Sequence, residues 1–373
     1  MTNLPRVGFI GWNPFQFLHI KDLAQRIPGA VFIIEKRKNH INNFTKELLY
    51  NHNIPIIVWD RAKMAELDGL FDIIICQTLF FRIETFVKTK IIMMQYGYAK
   101  EPHNYGAWRS LADLCLTYGN YASKKICHFC PTVTIGNPRY DKWHNSINGT
   151  SPITKDNIQR DTKSQKILYI PTWGDLSSID EYTDEIIELS KKYTVMLKLH
   201  HNTDLLEQER KNKIKGHIFL YGANDDILEL INESDIIISD YSGAIFDAVY
   251  FKKPIILLNN KNHHNNDSIK IDSFSIEFTH RSQLGYEVHN PEELHNAIEN
   301  VLNNREYYSS IHHSLREELF HDNGDSISLA IKEILALHSG HYMLNQQHLY
   351  IRECYKELLA TKRKLNIALK NQK

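Results

Sequence analysis

Residues 238–258 read ISDYSGAIFDAVYFKKPIILL, the most informative stretch of the chain. Two apolar runs of strand length flank a polar turn and the segment GAIFDAVYF, which has the composition of a buried helix. A strand, a tight turn, a helix and a second strand are typical of a parallel βαβ unit. The polar turn, residues 240–243, is therefore expected at the carboxyl end of a strand, where open α/β sheets bind ligands.

The same alternation of strands and helices extends outward in both directions. Six Ile- and Val-rich runs precede residue 120, among them RVGFIGW, FDIIICQ and KIIMMQY, and a second series begins with KILYIP at residue 166. The polar stretch 146–165 between the two series contains no strand pattern and is typical of a linker. We therefore predict an α/β, GT-B-like fold of two Rossmann-type domains facing a cleft, with a C-terminal helix. The predicted ranges are 1–145, 146–165 (linker), 166–338 and 339–373.

Composition excludes several classes of function. Lysine and arginine total 44, as do aspartate and glutamate. This balance argues against bulk electrostatic capture of nucleic acid or of an anionic membrane. The chain begins close to an apolar strand, without a signal-peptide pattern or a run of eighteen apolar residues. Five cysteines fit a reducing compartment, so we expect a cytoplasmic protein.

The last thirty residues follow a different pattern. An apolar stripe with alternating spacings of three and four, interrupted by His348 and Lys362, indicates a heptad helix. Its members are Ile351, Tyr355, Leu358, Leu365 and Leu369. Seven basic residues follow residue 350, against two glutamates. A packed terminal helix, a homo-oligomer contact and a helix on the inner membrane face all fit this pattern, and the first is as well supported as the other two.

Polar residues also follow two other predicted strands of the second domain. Because the carboxyl ends of parallel strands meet at one edge of a sheet, we expect these residues to lie close together. The candidate ligand-binding residues at these strand ends are Thr172, Trp173, Asp175, Ser239, Asp240, Tyr241, Ser242 and Gly243, and His200 is the candidate catalytic residue. Ser242 and Gly243 suit close approach of a phosphate to a helix N-terminus, although simple capping by Ser242 fits equally well.

These residues resemble a known family. IPTWGD, LKLH and SDYSGAIFDAVYFKKPI, with the later GYEVHNPEELHNAI and FHDNGDSISLAIKEIL, are similar to the second domain of the CDP-glycerol glycerophosphotransferase family, which builds teichoic-acid-like polymers. The resemblance covers roughly residues 90–335. It implies attack of an acceptor hydroxyl on the phosphorus that bears glycerol, with CMP as leaving group. Phosphate would be held by Ser239, Ser242 and Gly243, and His200 would donate to it or to the leaving group.

The first domain departs from the family pattern. The family has a His-Gly-Thr element whose histidine is thought to act as base, whereas this chain has Tyr96 before Gly97. Three other residues are candidate bases: His103, His19 and Glu101. The reaction requires neither a metal nor an organic cofactor, because helix N–H groups and histidines can supply the positive field.

Three functions stay open on the sequence. The first is a transferase that uses a CDP-alditol donor and a glycan acceptor, which the family usually carries on a lipid. The second is a GT-B glycosyltransferase that uses a nucleotide sugar, which the missing histidine favours. The third is a non-catalytic subunit that binds a nucleotide or a glycan. No nucleic-acid partner is expected in any of them.

Overall fold

A computed structural model of the chain describes residues 4–37, 44–50, 52–148, 165–260 and 272–371. Contacts divide the chain into two compact units. The first unit comprises Met1–Tyr96, Tyr105–His144 and Leu319–Lys373. The second comprises Gly97–Asn104 and Asn145–Glu318.

The first unit is built on a parallel sheet that has seven strands in the described residues, in the order β3-β2-β1-β4-β5-β6-β7. The strands are β1 (Val7–Gly11), β2 (Val31–Lys36), β3 (Ile56–Asp60), β4 (Ile73–Cys76), β5 (Lys90–Met94), β6 (Leu114–Thr117) and β7 (Thr132–Thr134). Every residue of β4 and β6 is buried, as expected for parallel strands covered on both faces. The order reverses direction between β1 and β4, which makes their carboxyl ends a switch point where such sheets bind ligands.

The second unit repeats this design with a parallel sheet that has six strands in the described residues, in the order β10-β9-β8-β11-β12-β13. The strands are β8 (Lys166–Ile170), β9 (Thr194–Lys198), β10 (Ile218–Tyr221), β11 (Ile236–Ser239), β12 (Ile255–Leu258) and β13 (Tyr286–Val288). This is the strand order of doubly wound dinucleotide-binding sheets, and its switch point lies between β8 and β11. The stretch quoted above supplies β11, its turn, a helix and β12, as predicted.

Helices connect most of the strands. Before residue 150 they are α1 (Pro14–Gln25), α2 (Lys46–Tyr50), α3 (Glu101–Asn104), α4 (Asn120–Ile126) and α5 (Asp141–Asn148). After residue 165 they are α6 (Ile179–Leu189), α7 (His201–Leu206), α8 (Gln208–Lys213), α9 (Ile227–Glu233), α10 (Ile245–Tyr250), α11 (Ile276–Thr279), α12 (Arg281–Leu284), α13 (Leu294–Asn303), α14 (Arg305–Ser310), α15 (His313–Leu319), α16 (Ser326–His338) and α17 (Gln346–Asn371).

The contact division differs from the predicted ranges where the chain returns to the first unit. The return begins at Leu319 rather than at residue 339, because the backbone there packs against Gly119. A Cβ on Gly119 would lie only 1.8 Å from the carbonyl oxygen of Leu319, so only glycine permits this approach. The Asp141 carboxylate then accepts the amides that begin α16. Residues 149–164 of the predicted linker lie outside the described residues, while 146–148 continue α5.

The C-terminal helix α17 packs along the first unit. Arg352 donates to the carbonyl of Ser110 at 2.7 Å and pairs with Asp113 at 3.1 Å. Tyr355 packs against the core of the unit, so the predicted heptad stripe is divided. Its other late apolar members remain exposed: Leu358, Leu365 and Leu369. Of the helices in the described ranges, none combines the length and apolar character needed to cross a membrane.

Candidate active site

The switch point of the second sheet is organised by Asp240, the first residue after β11. Its side chain is fully buried and accepts hydrogen bonds from the amide of Thr172 at 2.8 Å, from the amide of Ser178 at 2.9 Å and from the Ser178 hydroxyl at 2.8 Å. Burial raises the pKa of this carboxyl, although the donated hydrogen bonds oppose the rise. Asp240 thus holds the loop that follows β8 in place through hydrogen bonds, and its carboxylate is not open to a ligand.

Two aromatic side chains border the same edge of the sheet. His200 follows β9, and its ring lies 5.9 Å from that of Trp173 in a stacked arrangement. Nδ1 of His200 accepts the amide of Asn202 at 3.2 Å, so His200 caps α7. Since Nδ1 acts as the acceptor, the ring proton of neutral His200 is on Nε2. This arrangement suits the predicted donor role of His200. Asp175 is exposed in the loop beyond Trp173.

Two of the predicted donor-binding residues instead hold the sheet together. The Ser239 hydroxyl is fully buried and donates to the carbonyl of Ile170 at 2.8 Å. Tyr241 is also buried, stacks on Phe278 and donates its hydroxyl to Asn259 at 2.9 Å. The structure therefore places neither hydroxyl at an open surface, and the predicted contact of Ser239 and Tyr241 with a ligand is not supported by their positions.

The turn 242–243 is where the sequence predicted close approach of a phosphate. Oγ of Ser242 accepts the amide of Ala244, the N-cap residue of α10, at 3.3 Å, which is close to the capping role that the sequence also allowed. Gly243 is exposed, and a Cβ built on it would meet only the Cβ of Ala99, at 3.8 Å. Such a distance is ordinary van der Waals contact, so the fold does not itself require glycine here.

Two of the three candidate bases lie in Gly97–Asn104, which belongs to the second unit. Glu101 is buried, and its carboxylate accepts the amide of Ile276 at 3.0 Å, so it caps α11. His103 is exposed on α3. Of these two, His103 has the side chain that a substrate can reach.

The third candidate base, His19, lies in the first unit on α1. It is buried, and the amide nitrogen of Gln77 contacts its Nδ1 at 3.2 Å while also donating to the carbonyl of Gln95 at 3.1 Å. This orientation makes Nδ1 an acceptor and places the ring proton on Nε2. Burial and the Arg139 charge hold the pKa of His19 well below its usual value. His19 is therefore arranged as a neutral N–H donor rather than as a base.

Tyr96 is the residue that the resemblance placed at the family's histidine. Burial raises the pKa of its hydroxyl above the usual value, which makes the phenol a poor base near neutral pH. The tyrosine ring lies 5.7 Å from Phe15 and 6.0 Å from His19.

Three residues of the second unit that contact the predicted site were not predicted from the sequence: Lys100, Ser178 and Glu277. Lys100 donates from Nζ to the hydroxyl of Thr172 at 3.2 Å, and its backbone amide donates to Glu277 at 2.7 Å. Burial raises the pKa of Glu277 to about 7. Lys100 stands in YGYAKEPHNYG, residues 96–106, where its charge was a visible signal. No local pattern marks Ser178 or Glu277, because their roles come from contacts far along the chain.

The family model described as CDP-Glycerol:Poly(glycerophosphate) glycerophosphotransferase matches residues 123–335. The teichoic acid poly(glycerol phosphate) polymerase of Bacillus subtilis (strain 168) is 33% identical over 141 residues, which cover 33% of this chain and 18% of that protein. The teichoic acid glycerol-phosphate transferase of Staphylococcus aureus is 31% identical over 135 residues, covering 32% and 33% of the two chains. The chain thus spans no more than about a third of these relatives.

Solved structures share the fold over most of the chain. The wall teichoic acid polymerase TagF superposes with a TM-score of 0.61 at 16% identity, over 90% of this chain and 89% of TagF. MnaA of S. aureus, solved with UDP, gives 0.60 at 13% identity, over 90% and 97%. These likenesses confirm the predicted GT-B-like α/β fold. Because the family model matches more than half of its residues, the chain belongs to the CDP-glycerol:poly(glycerophosphate) glycerophosphotransferase family.

Proposed function

We propose that this protein transfers a polyol phosphate, glycerol phosphate or a related alditol phosphate, from a CDP-activated donor to a hydroxyl of a cell-surface glycan. The observation that carries the proposal is the switch point of the second sheet. There Asp240 holds the Thr172 loop in place beside the half-buried pair Trp173 and His200. This constellation lies inside the region that matches the family model.

The transfer forms one bond from the acceptor oxygen to the phosphorus and breaks the bond from that phosphorus to the oxygen of CMP. Charge that develops on the departing CMP phosphate needs hydrogen-bond donors in place before the reaction begins. Nε2–H of His200 and the exposed backbone at Gly243 are suited to this role. Trp173 offers an aromatic surface for a nucleotide base.

The proton of the acceptor hydroxyl requires a base, and we assign this role to His103. Among the three candidates His103 is exposed, whereas Glu101 caps α11 and His19 is arranged as an N–H donor. An imidazole can accept the proton of a hydroxyl group and is the side chain that most often acts as a general base.

A nucleotide-sugar glycosyltransferase is the second candidate. Tyr96 in place of the family's histidine is the observation that favours it, since the change removes the residue on which the family reaction is thought to depend. In this alternative the same switch point would hold the diphosphate of a UDP-sugar.

The experiment that separates the two functions is incubation with CDP-glycerol and, in parallel, with UDP-sugars, each with and without a glycan acceptor. Acceptor-dependent release of CMP from CDP-glycerol supports the transferase. Release of UDP with no CMP would replace it by the glycosyltransferase. Nucleotide binding without turnover of either donor would indicate a binding subunit.

Substitution of Gly243 should weaken donor binding without harming the fold. A Cβ at this position meets only Ala99 in ordinary contact, so Gly243→Ala and Gly243→Val are both expected to fold. If phosphate approaches the backbone here, the branched valine blocks it more than alanine does, by about tenfold in affinity or more. Calorimetric titration with CDP-glycerol measures the effect. Wild-type affinity in a folded Gly243→Val protein would contradict phosphate binding at this turn.

We further propose that the exposed end of α17 mediates self-association of the transferase, whose acceptor we expect to be carried on a lipid. The exposed apolar residues Leu358, Leu365 and Leu369 keep heptad spacing, which favours a helix partner over a broad lipid-facing surface. The nearby lysines Lys362, Lys364 and Lys370 are the feature that favours anionic lipid instead.

Ending the chain after Arg363 should convert an oligomer into a monomer. This truncation keeps Arg352 and Tyr355, which pack on the first unit, and the ion pair of Arg363 with Glu84 at 2.6 Å. Light scattering of the full-length and truncated proteins measures the change. A monomeric full-length protein that sediments with anionic vesicles only when residues 364–373 are present would favour the membrane instead.

A further inference from the structure

We propose that the ammonium group of Lys100 binds the diphosphate of the nucleotide donor, at the switch point of the second sheet. The inference rests on the proposed function, because it deepens the account of the same site. It adds a cation to the two groups already proposed to hold phosphate, Nε2–H of His200 and the backbone at Gly243.

The position of Lys100 is the first observation. Its Nζ donates to the hydroxyl of Thr172 at 3.2 Å, in the loop that follows β8. Its charge also lies near enough to Asp240 to oppose the rise in the pKa of that carboxyl. A positive charge therefore stands where β8 and β11 diverge, which is where sheets of this strand order hold phosphate groups.

The path of the chain around Lys100 is the second observation. Ala99 lies beside Gly243, with 3.8 Å between its Cβ and a Cβ built on the glycine. The ring of Tyr98 lies 5.3 Å from that of Phe246, on α10. The segment that carries Lys100 thus runs across the turn where phosphate binding was predicted from the sequence. We therefore expect a diphosphate bound by the ammonium group to lie near the Gly243 backbone.

The backbone of Lys100 is the third observation. Its φ is 57°, in the left-handed region that residues other than glycine rarely adopt. Glu277 accepts the Lys100 amide at 2.7 Å, and Glu101 reciprocally accepts the amide of Ile276 at 3.0 Å. The two glutamates thus link residues 97–104 to the start of α11 and hold Lys100 in this conformation. Strained conformations that the surroundings hold in this way cluster at ligand-binding sites.

The chemistry of the ligand fits a lysine. A nucleoside diphosphate carries several negative charges on freely oriented oxygens, and an ammonium group offers three donors from a compact charge. Asp240 and Glu277 are two acidic groups near Lys100. Asp240 is buried and accepts three donors besides, while the Glu277 carboxyl has a pKa of about 7 and is partly protonated near neutrality.

The test is calorimetric titration of Lys100→Met with CDP, UDP and inorganic pyrophosphate. We expect affinity for pyrophosphate, and for whichever nucleoside diphosphate the wild type binds, to fall by about tenfold or more, the scale of a charged hydrogen bond. Lys100→Arg keeps the charge and should retain most of the affinity. Lys192→Met is the matched control, because Lys192 is an exposed lysine of the same unit that pairs with Glu299 at 3.1 Å.

The outcomes distinguish this inference from the proposed function. Unchanged affinity in folded Lys100→Met overturns the inference and leaves the transferase standing. Lys100-dependent binding of pyrophosphate or UDP without any binding of CDP supports the inference and contradicts a CDP donor. A wild type that binds none of the three probes overturns both. If Lys100→Met does not fold, Lys100→Gln, which keeps a donor toward Thr172, must show the same loss.

Discussion

Replacing Asp240 with alanine is expected to lower the free energy of unfolding of the second unit by about 3–5 kcal/mol, because buried hydrogen-bond donors then lose their acceptor. The amides of Thr172 and Ser178 lose their acceptor at once, and the Ser178 hydroxyl keeps only the hydroxyl of Tyr169 as a partner. Each unpaired buried donor costs roughly 1–3 kcal/mol, so the sum exceeds the effect of an ordinary surface substitution. For a unit of this size the melting temperature should fall by roughly 10 °C.

Asp235 provides the matched control, because it stands just before β11, at its opposite end. It accepts the amide of Lys166 at 2.9 Å but is about a third exposed, at 32%. Water can replace the lost partner there, so Asp235→Ala should cost only about 1 kcal/mol. Calorimetric melting of both variants measures the difference. Melting of Asp240→Ala within about 2 °C of the wild type would show that Asp240 does not organise the switch point.

The second large effect is expected at His200, whose loss should lower turnover by about a hundredfold or more, the usual scale for removing a charge-stabilising donor. His200 also caps α7, so alanine would mix a structural loss with the chemical one. His200→Asn separates the two effects, because the asparagine oxygen can accept the amide of Asn202 in the same way. We therefore expect the His200→Asn protein to have the melting temperature of the wild type but a turnover lower by about a hundredfold or more.

The neighbouring histidine supplies the control for this experiment. His201 begins α7, and its ring lies 4.2 Å from that of His200. His201→Asn removes an imidazole from the same place without removing the predicted donor. Turnover per folded molecule, measured as CMP release from saturating CDP-glycerol, is the readout. A His200→Asn protein with wild-type turnover would assign His200 to capping alone.

Much of the fold could be predicted from local sequence patterns. Continuous Ile- and Val-rich runs such as residues 73–76 and 236–239 predicted buried parallel strands, because a strand covered on both faces has no solvent side to alternate with. The same reasoning placed Thr172, His200 and Asp240 at the carboxyl ends of three strands. Their approach to one another then follows from parallel pairing, which a strand–helix–strand repeat imposes.

The pairing of polar atoms is different, because it depends on contacts between distant residues. Nothing near Ser239 or Tyr241 distinguishes a hydroxyl that contacts a ligand from one that braces the sheet, and their partners are Ile170 and Asn259. The hydrogen bond from the Lys100 amide goes to Glu277, which is 177 residues away in the chain. Heptad spacing in α17 likewise predicted a helix but not that Tyr355 packs on the first unit.

Apolar periodicity and short motifs were therefore sufficient to predict the two parallel sheets, the strand ends that carry polar residues, and the family. The strand order, and with it the switch points, and the role of each polar side chain there depend on the folded chain. A hydrogen bond is directional and short, and a buried donor takes whichever acceptor folding brings within about 3 Å. Asp240 thereby holds the Thr172 loop in place, and the Lys100 ammonium group donates to the Thr172 hydroxyl in that loop.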